Sequence, residues 1–434
     1  MNHNYRRYFI IFILFLVLLV SLTKYYDNQS IDGLAYVVAI GLDEGEKEKL
    51  KLTLQIAIPT AFSDEKSSDQ SNSSLVNSIE CSSINSGISL FNSYLGKEVN
   101  LSHCKVLVIS ESLAAKGISE YIYTLTNNIE FRTNANMIVS KCDADDFLNY
   151  STPQLENLAA RYYQLAPASS SYTGYTQSVT VEEVYTAIYD SFREPFAILG
   201  SVNSPYTHKM DSYYSENDDN EANKSSLSSY ADTSTYGVSS KEGSYLAGQT
   251  PLSSENNIET MGIAVFKEDK FVGNLTGLES ICHLVISDKL KNAQIRIPSP
   301  VSNLDYIDLS LKMHNDTKKS VRLVNGTPYI ECKVRLDAQM LSMNNGIDLD
   351  DPSEIRKIEE SAQKYFEKHL LEYLYKTAKD YGSDIDGFGK NALKYFPTLS
   401  DWYPYNWLHR YKDAFFTVDV DIDLKSSYLL VDTK

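Results

Sequence analysis

Residues 261–275, MGIAVFKEDKFVGNL, begin the most clearly ordered part of the chain. An apolar run at 262–266 precedes the charged turn KEDK at 267–270, and a second apolar run at 271–275 follows it. Two apolar runs joined by a short polar turn are typical of an antiparallel strand pair. The stretch therefore predicts a β-hairpin.

The residues after this hairpin predict a sheet covered by one long helix. Asp351 is a suitable N-cap, Pro352 fits the first helical turn, and apolar residues at helical spacing continue to Tyr381. We expect this helix, 351–381, to lie across the sheet and to bury Phe366. Shorter helices are predicted at 279–290 and at 387–396, where Asp386 fits the N-cap. Alternating apolar residues mark the strands at 304–314, 321–324, 328–340 and 415–424.

The first part of the chain predicts a mixed α/β layer with one sheet, because strands and helices alternate along it. Residues 201–259 are low in apolar residues and rich in Ser, Asn, Asp and Tyr, which predicts a long surface excursion or linker. The predicted strands are 34–42, 50–58, 105–109 and 136–141, and the predicted helices are 84–94, 110–127, 144–150 and 181–192.

The N-terminus carries the pattern of an export signal. Arg6 and Arg7 precede an apolar run from Tyr8 to Leu22, and a basic start followed by an apolar stretch directs the later residues out of the cytoplasm. Extended to Tyr26, the run forms a helix of about 30 Å, which matches the thickness of a hydrocarbon core. We expect a retained single-pass helix, and the alternative is a cleaved signal peptide. The predicted anchor residues are Tyr8, Phe9, Ile10, Ile11, Phe12, Ile13, Leu14, Phe15, Leu16, Val17, Leu18, Leu19 and Val20.

Composition restricts the partners and cofactors. The net charge of -17 and the pI near 4.9 argue against nucleic acid as a partner, because binding phosphates requires clustered Lys and Arg. They also argue against a polybasic contact with anionic lipid. The cysteines are Cys81, Cys104, Cys142, Cys282 and Cys332, and they are too dispersed for a zinc site or a disulfide framework. Cys104, Cys282 and Cys332 lie in apolar runs, so buried free thiols are expected there.

The sequence contains no clear pattern of catalytic residues. Cys104 follows His103 and Cys282 precedes His283, but neighbours on a strand point to opposite faces, which argues against an activated thiol. The segment GFG at 387–389 lacks the third glycine of a dinucleotide-binding fingerprint, so a turn with Phe388 in the core is the preferred interpretation. We expect no catalytic residue, metal or cofactor. No HxxxH or HExxH pair occurs among His3, His103, His208, His283, His314, His369 and His409.

Five fragments, in order along the chain, carry a resemblance to a known family. They are YYDNQSIDGLAYVVAIGLD at 25–43, LSHCKVLVISESLAAKGI at 101–118, FRTNANMIVSK at 131–141, MGIAVFKEDKFVGNLTGLES at 261–280 and SDIDGFGKNALKYFP at 383–397. These fragments resemble the Ger(x)C family, the C subunits of spore germinant receptors. Proteins of this family usually carry an acylated Cys where Tyr25 stands here, so the anchor is expected to be protein and not lipid. Arg132 and Asn134 match positions that are common in the family; Arg132 is either a buried ion-pair partner or a contact to a partner protein.

This resemblance implies an α+β fold, in which an N-terminal membrane anchor helix precedes a three-domain ectodomain with mixed β-sheets and packed helices. The predicted division is 1–29 for the anchor, 30–200 for an α/β domain, 201–259 for the insert and 260–434 for an α+β region, itself divided at 300. The implied function is that of a non-enzymatic, membrane-anchored subunit of a nutrient germinant receptor in the spore inner membrane. The implied partners are the A and B membrane subunits, and most of the chain would lie outside the cytoplasm. The alternative function is an extracytoplasmic solute-binding protein that captures the germinant.

Overall fold

The computed structural model describes residues 3–23, 33–58, 74–151, 159–165, 167–203, 243–251, 257–300, 306–342 and 351–425. Its first element is helix α1, His3–Thr23. The described apolar side chains of α1 from Tyr8 to Leu18 are all exposed. Within the described ranges, no helix is both long enough and apolar enough to cross a membrane. The structure therefore does not support the predicted membrane-spanning anchor.

The larger sheet has nine strands in the order β3-β2-β1-β5-β6-β7-β8-β9, with β4 paired to β1. Strands β1, β5, β6 and β7 are mutually parallel, and antiparallel strands extend the sheet on both sides. The hairpin predicted at 261–275 is confirmed as β8 and β9, and it completes this sheet, so the predicted division at 260 falls inside β8. The strands are β1 Leu34–Glu44, β2 Leu50–Ala57, β3 Ser74–Cys81, β4 Glu98–Asn100, β5 Val106–Ser110, β6 Asn136–Ser140, β7 Phe196–Asn203, β8 Asn257–Lys267 and β9 Lys270–Leu275.

Both faces of the parallel strands are covered, which explains their apolar sequence. All five residues of β5 are buried: Leu107 and Ile109 join the larger core, while Val106 and Val108 pack with Phe147 on the other face. The helix predicted at 110–127 is divided in two at Gly117, whose φ of 122° lies outside the helical region. The helices of this part are α2 Ile84–Leu95, α3 Glu111–Ala114, α4 Ser119–Thr126, α5 Ala144–Asn149, α6 Ala159–Leu165, α7 Ser170–Thr173, α8 Val181–Ile188 and α9 Gly277–Ile286.

The second sheet has five strands in the order β10-β11-β13-β12, with β14 paired to β13 in parallel. Its longest strand, β13, pairs with β11 and β12 along one edge and with β14 along the other. The predicted strands 304–314, 321–324, 328–340 and 415–424 are confirmed with small shifts at their ends. The strands are β10 Ala293–Pro298, β11 Tyr306–Met313, β12 Lys318–Val324, β13 Thr327–Ser342 and β14 Phe415–Lys425.

The long helix α10, Pro352–Tyr375, packs against β10 and β14, which confirms its predicted position across the sheet. Asp351 caps it by accepting a hydrogen bond from the Ser353 N–H at 2.8 Å, and the Phe366 ring is fully buried. The helix continues as a π-helical turn, Lys376–Tyr381, and ends at Gly382, whose φ is 60°. The shorter helices that follow are α11 Gly389–Ala392, α12 Leu399–Tyr405 and α13 Trp407–Arg410.

Side chains of α10 cover the outer edge of β14. The Leu424 N–H donates to Glu359 Oε1 at 3.0 Å, and the Val420 N–H donates to Glu367 Oε1 at 3.3 Å. The Phe416 N–H donates to the Tyr375 hydroxyl at 3.4 Å. These acceptors satisfy backbone donors that the last strand of a sheet otherwise leaves to solvent or to another chain.

Candidate functional site

The segment SDIDGFG, residues 383–389, joins the two sheets. Its first residue, Ser383, donates through Oγ to the Phe266 carbonyl of β8 at 2.5 Å. The Asp384 carbonyl accepts a hydrogen bond from the N–H of Glu194, which precedes β7, at 2.9 Å. The segment follows α10 directly, so these bonds fix the helix of the second sheet against two strands of the first. We name residues 383–389, together with the side chains that they contact, the junction.

Asp384 is the centre of the junction. Its carboxylate is fully buried and accepts four hydrogen bonds: Oδ1 from the N–H groups of Gly387 and Phe388 at 2.9 and 3.1 Å, and Oδ2 from the N–H of Gly389 at 3.0 Å and from Trp407 Nε1 at 2.7 Å. Burial raises the pKa of Asp384 to about 7, although the four donors favour the charged form. A single carboxylate therefore shapes the turn and holds α13 to it.

The turn itself fits the interpretation of GFG as a structural segment. Phe388 is fully buried, which confirms the predicted core position, and Gly387 has a positive φ of 72°. A Cβ at Gly389 would lie 2.5 Å from the Phe192 carbonyl oxygen, so only glycine permits this close approach. The prediction that Asp386 caps the next helix is wrong, because the helix begins at Gly389 and the Asp386 side chain points to α9 and α10 instead.

His283, Tyr373 and Asp386 form a second buried cluster in the junction. His283 Nδ1 lies 2.8 Å from Asp386 Oδ1 and 3.0 Å from the Tyr373 hydroxyl, which donates to Asp386 Oδ2 at 2.9 Å. The side chains of His283 and Asp386 are 1% and 0% exposed. Burial and the neighbouring Asp386 carboxylate hold the pKa of Tyr373 well above its usual range. The cluster links α9, α10 and the segment after α10 through polar contacts.

The geometry of this cluster differs from that of a catalytic triad. Nucleophilic catalysis needs a nucleophile at the free imidazole nitrogen and a path for substrate. His283 Nε2 is buried without a hydrogen-bond partner, and the ring packs edge-on against Phe196 with 4.7 Å between centroids. The neighbouring Cys282 is fully buried, and burial raises the pKa of its thiol well above the usual range. The cluster therefore suits fixing the helices in position better than turnover of a substrate.

A carboxylate that the sequence did not single out completes the junction. Glu194 is buried, and its Oε2 accepts a hydrogen bond from the Glu268 N–H in the β8–β9 turn at 2.7 Å. Burial raises the pKa of Glu194 to about 7. In the sequence, Glu194 differs from other acidic residues only in its place between Arg193 and Pro195, directly before the buried strand β7.

The other residues considered from sequence lie apart from the junction. Arg132 is exposed, so the buried ion pair is wrong and the partner contact stays a prediction. His103 packs edge-on against Tyr36 at 5.1 Å, and the buried Cys104 donates to the Val106 carbonyl at 3.4 Å. Cys282 and His283 lie on α9 and not on a strand, so the argument from opposite strand faces was wrong for this pair. Over the described residues, no group of three or more His, Cys, Asp or Glu side chains is arranged to hold a metal ion.

Comparisons with known proteins give consistent matches over both parts of the chain. Residues 27–201 match the family model described as spore germination protein N-terminal domain, and residues 261–428 match the model described as spore germination B3/GerAC like, C-terminal. Spore germination protein KC of Bacillus subtilis (strain 168) is 21% identical over 421 residues, which covers 95% of this chain and 93% of that protein.

Further matches include a relative that aligns with part of the chain and a solved structure. Spore germination protein GerQC of Bacillus cereus is 24% identical over 172 residues, 40% of this chain and 46% of that protein. The crystal structure of the GerBC protein aligns with a TM-score of 0.46 at 13% identity, over 89% of this chain and 96% of that one.

Proposed function

Because the chain belongs to the Ger(x)C family of spore germination proteins, we propose that it is the C subunit of a nutrient germinant receptor and assembles with the A and B membrane subunits. The observation that carries the proposal is the pair of family matches, which occur in order and cover most of the chain. The fold agrees with a binding role, because the polar side chains of the junction are buried and contacts to another protein would be made by exposed side chains.

The proposed role is assembly and signal coupling without catalysis by this chain. In this role the junction keeps the two sheets in one orientation, so that a contact made on one sheet is transmitted to the other. The experiment is deletion of the gene, followed by complementation with a tagged chain and co-purification from spore membranes. We expect germination with nutrient to fail on deletion, and we expect the A and B subunits to be recovered with the tagged chain. Normal germination without the chain would contradict the proposal.

We propose further that α1 holds the chain at the spore inner membrane by contact of its apolar surface with lipid. The support is that every apolar side chain from Tyr8 to Leu18 is exposed, by between 45% and 71%. Lipid covers such a surface favourably. We expect the chain to stay in the membrane pellet after alkaline carbonate extraction and to keep its N-terminus. A mature N-terminus after residue 20, or an acyl chain found by mass spectrometry, would contradict this anchor.

A second candidate function rests on a cleft between α9 and the second sheet. Its volume is about 260 Å³, and Leu278, Ile281, Ile295 and Tyr365 contribute to its lining. At its rim Arg296 Nε donates to Asp308 Oδ1 at 2.7 Å. The volume lies below the usual range of ligand pockets, roughly 300–1,000 Å³, and the charged groups already pair, which favours the assembly role over germinant capture. Calorimetric titration of the full chain with nutrient germinants separates the two functions, because saturable heat would favour capture.

A further inference from the structure

One end of the second sheet carries an unusual concentration of positive charge for a chain whose net charge is -17. The end is formed by the β12–β13 turn, the start of β14 and the helices that border them. Its five exposed cationic residues, together with the aromatic rings beside them, are called the basic tip here. The cations are Arg322, Lys379, Lys394, Arg410 and Lys412.

Hydrogen bonds and ring contacts hold these residues around the same turn. The Tyr405 hydroxyl donates to the Gly326 carbonyl at 3.0 Å, and the Tyr395 hydroxyl donates to the Val321 carbonyl at 2.9 Å. The Arg410 guanidinium lies 5.0 Å from the Tyr405 ring centroid, and Lys394 Nζ lies 5.2 Å from that of Tyr395. Arg410 and Lys394 are therefore each positioned by an aromatic ring that is itself hydrogen-bonded to the sheet.

An exposed aromatic pair lies beside these cations. The rings of Tyr329 and Phe415 stack with centroids 5.2 Å apart, and they remain 39% and 49% exposed. Lys379 Nζ lies 5.6 Å from the Phe415 centroid and donates to the Lys412 carbonyl at 2.7 Å. Large aromatic residues and Arg are enriched among the residues that contribute most of the binding free energy at protein–protein interfaces.

The charge of the basic tip is not neutralised by carboxylates of this chain. In the described ranges, none of the five cations forms an ion pair. Lysines and arginines elsewhere do, such as Arg335 with Asp421 at 2.7 Å and Lys376 with Glu279 at 2.8 Å. The exposed Asp380 and Asp413 adjoin Lys379 and Lys412 in sequence and offset part of the charge, but the five cations still outnumber these two carboxylates. A surface of uncompensated charge favours a partner of opposite sign and increases the rate of its association.

We propose that the basic tip binds an acidic protein segment, which under the proposed function belongs to another subunit of the receptor. The carboxylates of that segment pair with Arg322 and Arg410, while an apolar side chain covers the Tyr329–Phe415 stack. A protein segment fits better than an anionic membrane because a stacked aromatic centre with a charged rim is typical of a protein interface.

Charge reversal tests the proposal in the full chain. The variant Arg322→Glu/Arg410→Glu is compared with Lys47→Glu/Lys97→Glu, which changes the net charge equally at exposed connections next to strands of the first sheet. Recovery of the A and B subunits from solubilised spore membranes is measured at two salt concentrations. We expect about tenfold lower recovery with the tip variant and near-normal recovery with the control variant. Equal recovery for the two variants, at unchanged melting temperature, overturns the proposal.

Photocrosslinking identifies the partner and separates failure of the basic tip from failure of the proposed function. Tyr329 is replaced by p-benzoylphenylalanine, and Tyr94 of helix α2, which is 73% exposed, receives the same replacement as control. A crosslink from position 329 to an Asp- and Glu-rich peptide of the A or B subunit supports the proposal. A crosslink only to lipid, to a second copy of this chain or to a segment without acidic residues overturns it.

Failure of the proposed function has a different signature. If the wild-type chain recovers no A or B subunit, the proposed function is wrong, and the identity of the crosslinked peptide alone decides whether the basic tip binds an acidic segment. If the charge-reversed variant is unstable, Phe415→Ser replaces it in the same comparison.

Discussion

Asp384→Asn is the substitution that most directly tests the junction. The wild-type carboxylate accepts two hydrogen bonds on each oxygen, from three backbone N–H groups and from Trp407 Nε1. An amide has one accepting oxygen, and its NH₂ group faces two N–H donors in either orientation. Two buried donors are then left without an acceptor, at a cost of about 1–3 kcal/mol each. We expect the free energy of unfolding to fall by about 2–6 kcal/mol.

The assay is urea-induced unfolding of the full chain, followed by intrinsic fluorescence, because Trp402 and Trp407 are both buried beside the junction. Asp413→Asn is the matched control, since Asp413 is exposed and an exposed substitution usually changes stability by less than about 0.5 kcal/mol. Limited trypsin digestion is measured in parallel, because loosening of the junction should expose the segment around 383–389. An urea midpoint of Asp384→Asn equal to that of the control would refute the conclusion that this carboxylate holds the turn.

Three further predictions concern packing, pH and the polar insert. Phe366→Ala should lower stability by about 3–5 kcal/mol, because the ring lies on the buried face of α10. Tyr403→Ala, at 62% exposure, should not, and equal melting curves for the two variants would contradict the packing. The pKa of Glu194 is raised by burial from 4.5 to about 7, so the folded chain binds more protons than the unfolded chain in this window and loses stability as pH rises from about 4.5 to 7. Glu194→Gln should flatten this dependence and be up to about 3 kcal/mol more stable than wild type at pH 8, and an unchanged pH profile in thermal unfolding would argue against the assignment. Shortening the insert within 204–242 should leave germination intact, since halving a loop changes its closure free energy by only about 0.6 kcal/mol, and loss of subunit co-purification would show that the insert takes part in binding.

The elements that the sequence predicted correctly are those whose signals are local. Asp351 and Pro352 mark the start of α10 because capping and the proline ring act within one turn. The hairpin of β8 and β9 was likewise visible in 261–275, but its membership of the first sheet was not, because the pairing of β8 with β7 joins residues on either side of the long insert. Gly117 divided a predicted helix through a single positive φ, which a residue type alone does not fix.

The junction was largely invisible to sequence reasoning for the same reason. His283 meets Asp386 across 103 positions of sequence, and Asp386 had an equally good local interpretation as a helix cap. Glu194 is an acidic residue that local sequence gives no reason to bury, and its contacts are to Asp384 and Glu268, which are distant in the chain. By contrast, the core position of Phe388 followed from the absence of a nucleotide-binding pattern around it, and the structure confirms it.

The acceptors that α10 places along β14 limit the ways in which copies of this chain can associate. Donors at Phe416, Val420 and Leu424 recur every four residues, about 13 Å along a strand, and their acceptors recur every eight residues of the helix, about 12 Å along its axis. The spacing of these acceptors along α10 therefore matches the spacing of the donors along β14, although α10 is a helix and not a strand. A strand of another molecule that approached this edge would meet the side chains of Glu359 and Glu367 at two of its backbone N–H groups. This arrangement opposes strand pairing between copies of the chain at this edge. Contacts through this sheet are therefore left to side chains, whose identity, unlike that of a backbone, selects one partner over another.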